Sequence, residues 1–174
     1  MPNLKGKRVV ILVAEQFQDM EVMYPYYRFK EEGAEVIVAG TGSMEVYNGK
    51  FGYPIKVTTS AGNLSAADLD AIIIPGGWAP DFLRRYEFVN KLVGEAFKKG
   101  KVVASICHGG SVLVSAHVLK GKTATAFKAI KDDMVYAGCK FVDKDVVIDG
   151  NLITSRTPDD LPAFCKAIIG ALSK

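Results

Sequence analysis

Cys107 is the residue of this chain whose setting best suits covalent chemistry. It follows the apolar run 102–106, with Ser105 two positions before it and Gly109 two positions after it. Small residues at these two positions are typical of a nucleophile elbow, a strained strand-to-helix turn that exposes a reactive side chain. The free N–H groups and the dipole of the following helix would favour the thiolate. A buried structural cysteine at the end of a core strand is the other interpretation, and this segment alone leaves both open.

Two histidines could accept a proton from this thiol, His108 and His117. His117 lies nine residues beyond His108 on the same predicted helix, which is on the order of 13 Å along the axis at ~1.5 Å per residue. That distance excludes His117, whose ordinary role would be to interact with the dipole at a helix end. His108 is adjacent to the thiol, and a sharp turn can keep its imidazole close. If a histidine assists Cys107, it is therefore His108, although a purely local hydrogen-bonding role stays open.

Two other segments are predicted to end at the same edge of the sheet. Glu21 begins the helix after the first strand, and a carboxyl group beside a thiol is useful when it is protonated and donates a hydrogen bond to sulfur. Its alternative role is to stabilise its own helix dipole. Gly76 and Gly77 end another strand, and their backbone N–H groups could form an oxyanion hole with the N–H of His108. An ordinary strand-to-helix turn is the alternative for this glycine pair.

The elements that must position these residues follow a βα pattern. Short Val- and Ile-rich runs alternate with amphipathic stretches, which predicts an α/β fold with a mostly parallel sheet. The predicted strands are 8–14, 35–39, 71–75, 102–106 and 122–126, and the predicted helices are 20–32, 79–99 and 109–119. Segments 44–53 and 55–58 are predicted to form an antiparallel hairpin with an Asn-Gly turn. Three short strands (139–142, 146–149 and 151–155) and a closing helix (158–172) complete the chain, which we interpret as one domain, 1–174.

The composition indicates a globular protein. With 174 residues, 49% of them hydrophobic and 24% charged, the chain has the composition of a globular domain with a substantial core. Its apolar runs are shorter than the ~20 residues that span a bilayer, and segment 1–7 lacks a signal sequence, so we expect a cytoplasmic protein without membrane partners.

The net charge, the number of cysteines and the motifs limit which partners and cofactors we expect. The net charge of +3 comes from scattered residues, which argues against nucleic acid as the main partner. Three widely spaced cysteines fit neither a disulfide framework nor a zinc site. The sequence contains no nucleotide-binding loop, metal-ligand spacing or flavin fingerprint, so we expect no cofactor.

The motifs together resemble the PfpI family of intracellular proteases and deglycases, within the glutamine amidotransferase-like superfamily of cysteine enzymes. The resemblance rests on Ala-Ser-Ile-Cys-His-Gly at 104–109, Pro-Gly-Gly at 75–77 and Glu-Val-Met-Tyr-Pro at 21–25, with further matches at 129–134 and 154–162. It covers essentially the whole chain. Gln18 departs from the pattern where relatives often carry an acid, and Phe127 departs where some carry a tyrosine.

This resemblance implies a flavodoxin-like three-layer α/β/α sandwich and a homodimer or a larger ring such as a hexamer. It implies that Glu21 hydrogen-bonds Cys107, the nucleophile, and that His108 is oriented by an acid after the Pro-Gly-Gly loop, often from a neighbouring subunit. Here that acid is Asp81, which is one methylene shorter than the usual glutamate. Asp81 could instead stabilise its own helix.

Three functions remain open at this point. The leading hypothesis, from the resemblance, is a cysteine-dependent enzyme that acts on small reactive carbonyls or their protein adducts, like a deglycase or a glyoxalase III. The second is an intracellular peptidase that cleaves unfolded protein with the same residues. The third is a redox-sensing stress protein or chaperone whose thiol is oxidised without turnover.

Overall fold

The computed structural model describes residues 4–174, so the first three residues of segment 1–7 lie outside the described residues. Residues 4–174 form eleven strands and six helices. The strands are β1 (Arg8–Leu12), β2 (Glu35–Gly40), β3 (Val46–Asn48), β4 (Pro54–Lys56), β5 (Thr59–Ser60), β6 (Ala71–Ile74), β7 (Val102–Ile106), β8 (Thr123–Ala124), β9 (Lys140–Phe141), β10 (Val146–Asp149) and β11 (Leu152–Ser155). The helices are α1 (Asp19–Glu31), α2 (Ala79–Leu83), α3 (Glu87–Lys98), α4 (Gly110–Ser115), α5 (Lys131–Tyr136) and α6 (Leu161–Leu172).

A seven-stranded sheet in the order β10-β11-β7-β6-β1-β2-β5 forms the centre of the fold. All of its strand pairs are parallel except β10 with β11. Helices α1 and α6 pack against each other on one face, whereas α2, α3 and α4 pack together on the other. Strands β6 and β7 are buried along their whole length, as a sheet covered on both faces requires. The predicted α/β sandwich with a mostly parallel sheet is therefore confirmed.

The predicted fifth central strand, 122–126, is wrong in its position. Only Thr123–Ala124 is a strand, and it pairs with Lys140–Phe141 in a separate two-stranded sheet. The place beside β7 is taken by β11, whose Ile153 lies opposite Ala104. Backbone N–H groups of segment 123–125 are bound by side chains: the Asp149 carboxylate accepts from Thr123 and the Thr154 hydroxyl accepts from Thr125. This segment therefore runs beside the main sheet without joining its ladder.

Two predicted helices are shorter than their sequence pattern suggests. Segment 79–99 is interrupted before Glu87 because Tyr86 has an extended backbone and the Arg84 carbonyl accepts a hydrogen bond from the Asn90 side chain. The helix predicted at 109–119 ends at Ser115, and His117, at φ +57°, is already in the left-handed conformation there; Gly121, the predicted terminator, has a φ of +74° but lies beyond the helix end.

The predicted hairpin is present as β3 and β4, with Tyr47 opposite Ile55. Its connecting loop does not stop at the sheet edge. Gly49 forms an isolated bridge with Phe17, in the loop between β1 and α1, and the Lys50 N–H donates to the Phe17 carbonyl at 2.9 Å. The hairpin loop is therefore carried to the carboxyl end of the parallel strands, where ligand sites of open α/β sheets lie.

Candidate functional site

Cys107 lies in a strained turn directly after β7. Its φ of +59° is in the left-handed region, which is unfavourable for a residue with a side chain, and the residue is 8% exposed. A 3-10 turn, Cys107–Gly109, leads into α4. Gly109 passes so close to the carbonyl of Ile74, on β6, that a Cβ there would overlap it. The elbow thus needs a glycine at 109 because the neighbouring strand leaves no room.

His108 lies beside the thiol. Its Nδ1 is 3.4 Å from the sulfur of Cys107, and its ring stacks on Phe127 with 4.8 Å between ring centroids. The Phe127 N–H in turn donates to the Cys107 carbonyl, which ties the stacking residue to the elbow. Burial and the nearby charge of Lys50 both lower the pKa of His108. The imidazole is therefore largely neutral at pH 7 and able to accept a proton.

Glu21 is fully buried between the thiol and the glycine loop. Its Oε2 accepts a 2.6 Å hydrogen bond from the Gly76 N–H, and Gln18 caps the same helix by accepting from the Glu21 N–H. Burial is the main reason that the pKa of Glu21 rises to about 7, although hydrogen bonds from Gly76 and Cys107 oppose the rise. Near neutral pH this carboxyl group is therefore protonated in a large fraction of molecules.

The acidity of Cys107 differs from the expectation that a helix N-terminus favours its thiolate. Burial, followed by the negative charge of Glu21, raises the pKa of the Cys107 thiol to about 12, whereas hydrogen bonds from the His108 and Gly77 N–H groups lower it. Two such close groups titrate as a pair that shares one proton. The thiolate is thus best supported when Glu21 carries the proton and donates it to sulfur.

The glycine loop approaches the sulfur with its backbone. A Cβ at Gly76 would lie 2.6 Å from Oε2 of Glu21 and 2.7 Å from Cβ of Cys107. Gly77, at φ +72°, would overlap the backbone of Gln18 if it carried a side chain. Of the three N–H groups predicted to hold an oxyanion, that of Gly76 is not available, because it donates to Glu21. Those of Gly77 and His108 lie close enough to the Cys107 sulfur to lower its pKa. A reacting carbonyl at that sulfur would meet the same two donors.

Asp81 is not brought to this cluster within one chain. It lies in the first turn of α2, its side chain is 61% exposed, and it forms an ion pair with Arg85 one turn further along. It has no hydrogen bond or ion pair with His108 of its own chain among residues 4–174. A role for Asp81 at the thiol would need a second subunit.

A cavity of about 230 Å³ lies over the thiol. Besides predicted site residues, several side chains line it that chemical reasoning from the sequence did not select: Lys50, Trp78, Thr157 and Pro158. They come from three loops, which follow β3, β6 and β11, and only Thr157 and Pro158 belong to a motif singled out in the sequence, the match at 154–162. A second cavity of about 380 Å³, lined by Lys128, Lys131 and Arg156, shares Phe127 and Thr157 with the first.

Two features, a metal-ligand cluster and a membrane-spanning helix, are absent from the part of the chain that the structure describes. No group of three or more His, Cys, Asp or Glu side chains is arranged to hold a metal ion. No helix within 4–174 is long and apolar enough to cross a membrane.

A parallel α/β sheet with a cysteine in a strained turn after a central strand, beside a buried glutamate, defines a flavodoxin-like protein with an elbow thiol. The chain belongs to the DJ-1/PfpI family, whose sequence profile matches residues 7–171. The resemblance inferred from the motifs and the flavodoxin-like fold are both confirmed.

Similar proteins support this membership over nearly the whole chain. A protein of Pyrococcus abyssi named deglycase PYRAB04690 is 45% identical over 165 residues, which cover 95% of this chain and 99% of that protein. The DJ-1beta structure of Drosophila melanogaster has a TM-score of 0.89 at 29% identity and covers 96% of this chain and 90% of its own.

A structure from Anabaena variabilis with a DJ-1/ThiJ/PfpI-like and a ferritin-like domain matches with a TM-score of 0.94 at 42% identity. The match covers 95% of this chain but 48% of that two-domain chain, so the present chain spans about half of its length.

Proposed function

We propose that this protein is a cysteine-dependent enzyme that acts on reactive carbonyls or on their protein adducts, as a deglycase or a glyoxalase III does. The observation that carries the proposal is the sulfur of Cys107, which lies 3.4 Å from His108 Nδ1 in a turn with a φ of +59°, beside the buried Glu21. Relatives named deglycases add support. The cavity of about 230 Å³ is below the ~300–1,000 Å³ of drug-sized ligand sites, which favours a small carbonyl.

The proposed reaction with methylglyoxal begins when the Cys107 sulfur forms a C–S bond to the aldehyde carbon and its proton remains with Glu21. The Gly77 and His108 N–H groups would stabilise the oxygen that becomes negative. His108 would then move a proton from the former aldehyde carbon to the neighbouring carbon, which converts the adduct into a thioester without an external oxidant. Water would then cleave the thioester to lactate, and Glu21 would return the thiol proton to sulfur.

The test supplies purified protein with methylglyoxal, with a methylglyoxal-modified peptide and with unfolded casein. We expect lactate from the first and recovery of the unmodified amine from the second, with much slower cleavage of the third. Rapid casein cleavage with no carbonyl turnover would favour the peptidase alternative. Turnover of none of the three, together with sulfinate formation at Cys107 under mild peroxide, would favour the redox sensor.

We further propose that Asp81 of a neighbouring subunit completes the site in a homo-oligomer. Its exposed side chain is available for such a contact, although Arg85 of its own chain competes for it. Orientation of His108 by a carboxylate would favour the tautomer that accepts the thiol proton. The oligomer, its size and the cytoplasmic location stay predictions.

Asp81→Asn is expected to lower kcat/KM for methylglyoxal by about tenfold or more, as losses of partners that orient a histidine do. Co-expression of Asp81→Asn chains with Cys107→Ser chains provides the discriminating measurement. Mixed oligomers should recover activity because the Cys107→Ser chain donates an intact Asp81 to its neighbour. Unchanged activity in Asp81→Asn, or no recovery in mixed oligomers, would show that Asp81 serves its own helix only.

A further inference from the structure

The cavity of about 230 Å³ over Cys107, called the reaction cavity below, is lined among residues 4–174 by one lysine, Lys50, on the loop between β3 and β4, and by no arginine. Its ammonium group lies 5.1 Å from the ring centroid of Phe51 and forms no ion pair with any carboxylate of residues 4–174. Its charge acts on both reactive neighbours of the thiol, because it lowers the pKa of Glu21 and that of His108. Lys50 is therefore a positive charge at the thiol site without a carboxylate partner.

The backbone that carries Lys50 is fixed from several sides. The Lys50 N–H donates to the Phe17 carbonyl, and the carboxylate of Asp19, only 8% exposed, accepts from the N–H groups of Phe51 and Tyr53 at 3.0 and 3.1 Å. A Cβ at Gly49 would overlap that carboxylate, so the loop packs directly on it. The helix that supplies Glu21 thus also holds the loop that supplies Lys50. The position of the cation relative to the thiol is set by the same element as the buried acid.

We propose that Lys50 is an anion-binding residue of the reaction cavity, which favours 2-oxoaldehyde substrates that carry a carboxylate elsewhere in the molecule. This inference deepens the proposed function and, for the substrate class, rests on it. An anionic substrate group that enters the cavity loses hydrating water. It is also repelled by the Glu21 carboxylate whenever Glu21 is ionised, so the anionic group needs a compensating cation. Lys50 supplies that cation, so the Gly77 and His108 N–H groups are not needed to bind the anionic group and can serve the carbonyl oxygen. The 2-oxoaldehyde 4,5-dioxopentanoate matches this arrangement, because its adjacent aldehyde and ketone allow the proton shift and it also carries a carboxylate, whereas methylglyoxal lacks the charge.

The direct test uses two alkylating reagents that differ only in charge. Iodoacetate and iodoacetamide each form an S–C bond with the Cys107 thiolate while iodide leaves with the electrons of its C–I bond. Their rate ratio cancels any change in the amount of thiolate, which affects both reagents equally. Modification of Cys107 itself is followed by peptide mass spectrometry, which separates it from the buried Cys139 and Cys165.

Lys50→Met is expected to lower the iodoacetate to iodoacetamide rate ratio by about tenfold at low salt, and Lys50→Glu is expected to lower it further. Lys56→Met is the matched control, because Lys56 is an exposed lysine on the same hairpin that does not line the cavity. It should keep the ratio of the unmodified protein. An unchanged ratio in Lys50→Met, or an equal fall in Lys56→Met, overturns the proposal, the latter because it would indicate the general field of the hairpin.

Steady-state kinetics then test the substrate class. Lys50→Met should lower kcat/KM for 4,5-dioxopentanoate, which would be converted to 2-hydroxyglutarate, about tenfold more than kcat/KM for methylglyoxal. Equal losses for the two substrates would mean that Lys50 acts on the thiol and not on the substrate, and would overturn this assignment. If no carbonyl compound is turned over but the alkylation ratio depends on Lys50, the proposed function fails while the anion-binding site stands.

Discussion

Cys107→Ser is expected to reduce kcat/KM for methylglyoxal by about 1000-fold or more, the usual scale for loss of a nucleophile. A serine hydroxyl is far less acidic than a thiol, and this site does little to compensate. Burial and the charge of Glu21 already raise the pKa of Cys107 to about 12. His108, the proposed proton carrier, has its pKa lowered by burial and by Lys50, so it is a weak base for an alcohol.

The matched control for this change is Cys139→Ala, which removes another buried thiol on the chain segment before β9. It should retain turnover, since Cys139 does not line the cavity over Cys107. Lactate formation is measured for both variants after circular dichroism has shown that each is folded. Full turnover by Cys107→Ser would exclude thiol addition and, with it, the proposed mechanism.

Glu21→Gln is expected to have opposite effects on activity and on stability. The glutamine amide can donate a hydrogen bond to sulfur but cannot take up and return the thiol proton, so kcat/KM should fall by about 100-fold, a typical loss for an acid–base group. The Gly76 N–H can still donate to the amide oxygen, so the local hydrogen bond to the loop is kept. Activity measured from pH 5 to pH 9 should also lose the inflection near pH 7 that the Glu21–Cys107 pair gives.

The stability change follows from the raised pKa of Glu21. Between its ordinary value of 4.5 and about 7, the folded protein holds this proton while the unfolded chain releases it, so the free energy of unfolding falls as pH rises. At about 1.4 kcal/mol for each pH unit between the two values, the folded protein loses about 3 kcal/mol from pH 4 to pH 8. Glu21→Gln removes this loss.

Urea unfolding at pH 4 and pH 8 measures the effect as a difference between the protein and its variant. The variant should gain up to about 3 kcal/mol on the unmodified protein over this interval. Glu45→Gln, the same change at an exposed position, should give no such gain. If the free energy of unfolding depends on pH in the same way for Glu21→Gln and for the unmodified protein, Glu21 is ionised in the folded state and cannot serve as the proton donor to sulfur.

Strand β7, which leads into the elbow, is the element that local sequence described best. Strand β7 has the predicted limits, 102–106, because a continuous apolar run bounded by a turn needs no information from elsewhere. The elbow at Cys107 follows from the same run together with Ser105 and Gly109. The misplaced segment 122–126 has two threonines, which favour strands, but its hydrogen-bond partners, Asp149 and Thr154, lie more than twenty residues away. Local composition can therefore predict that a segment forms a strand, but it does not predict which strand that segment pairs with.

The sequence by itself determined the family, the parallel α/β architecture and the cluster of Cys107, His108, Glu21 and the glycine pair, because these depend on short motifs at the ends of strands. Only the tertiary structure decided the charge environment of that cluster. It buried Glu21 and Cys107 together, which raised the pKa of each, and it brought Lys50 across from the hairpin while leaving Asp81 with Arg85. Burial and Coulomb interaction depend on distances between residues far apart in the chain, and folding alone sets those distances.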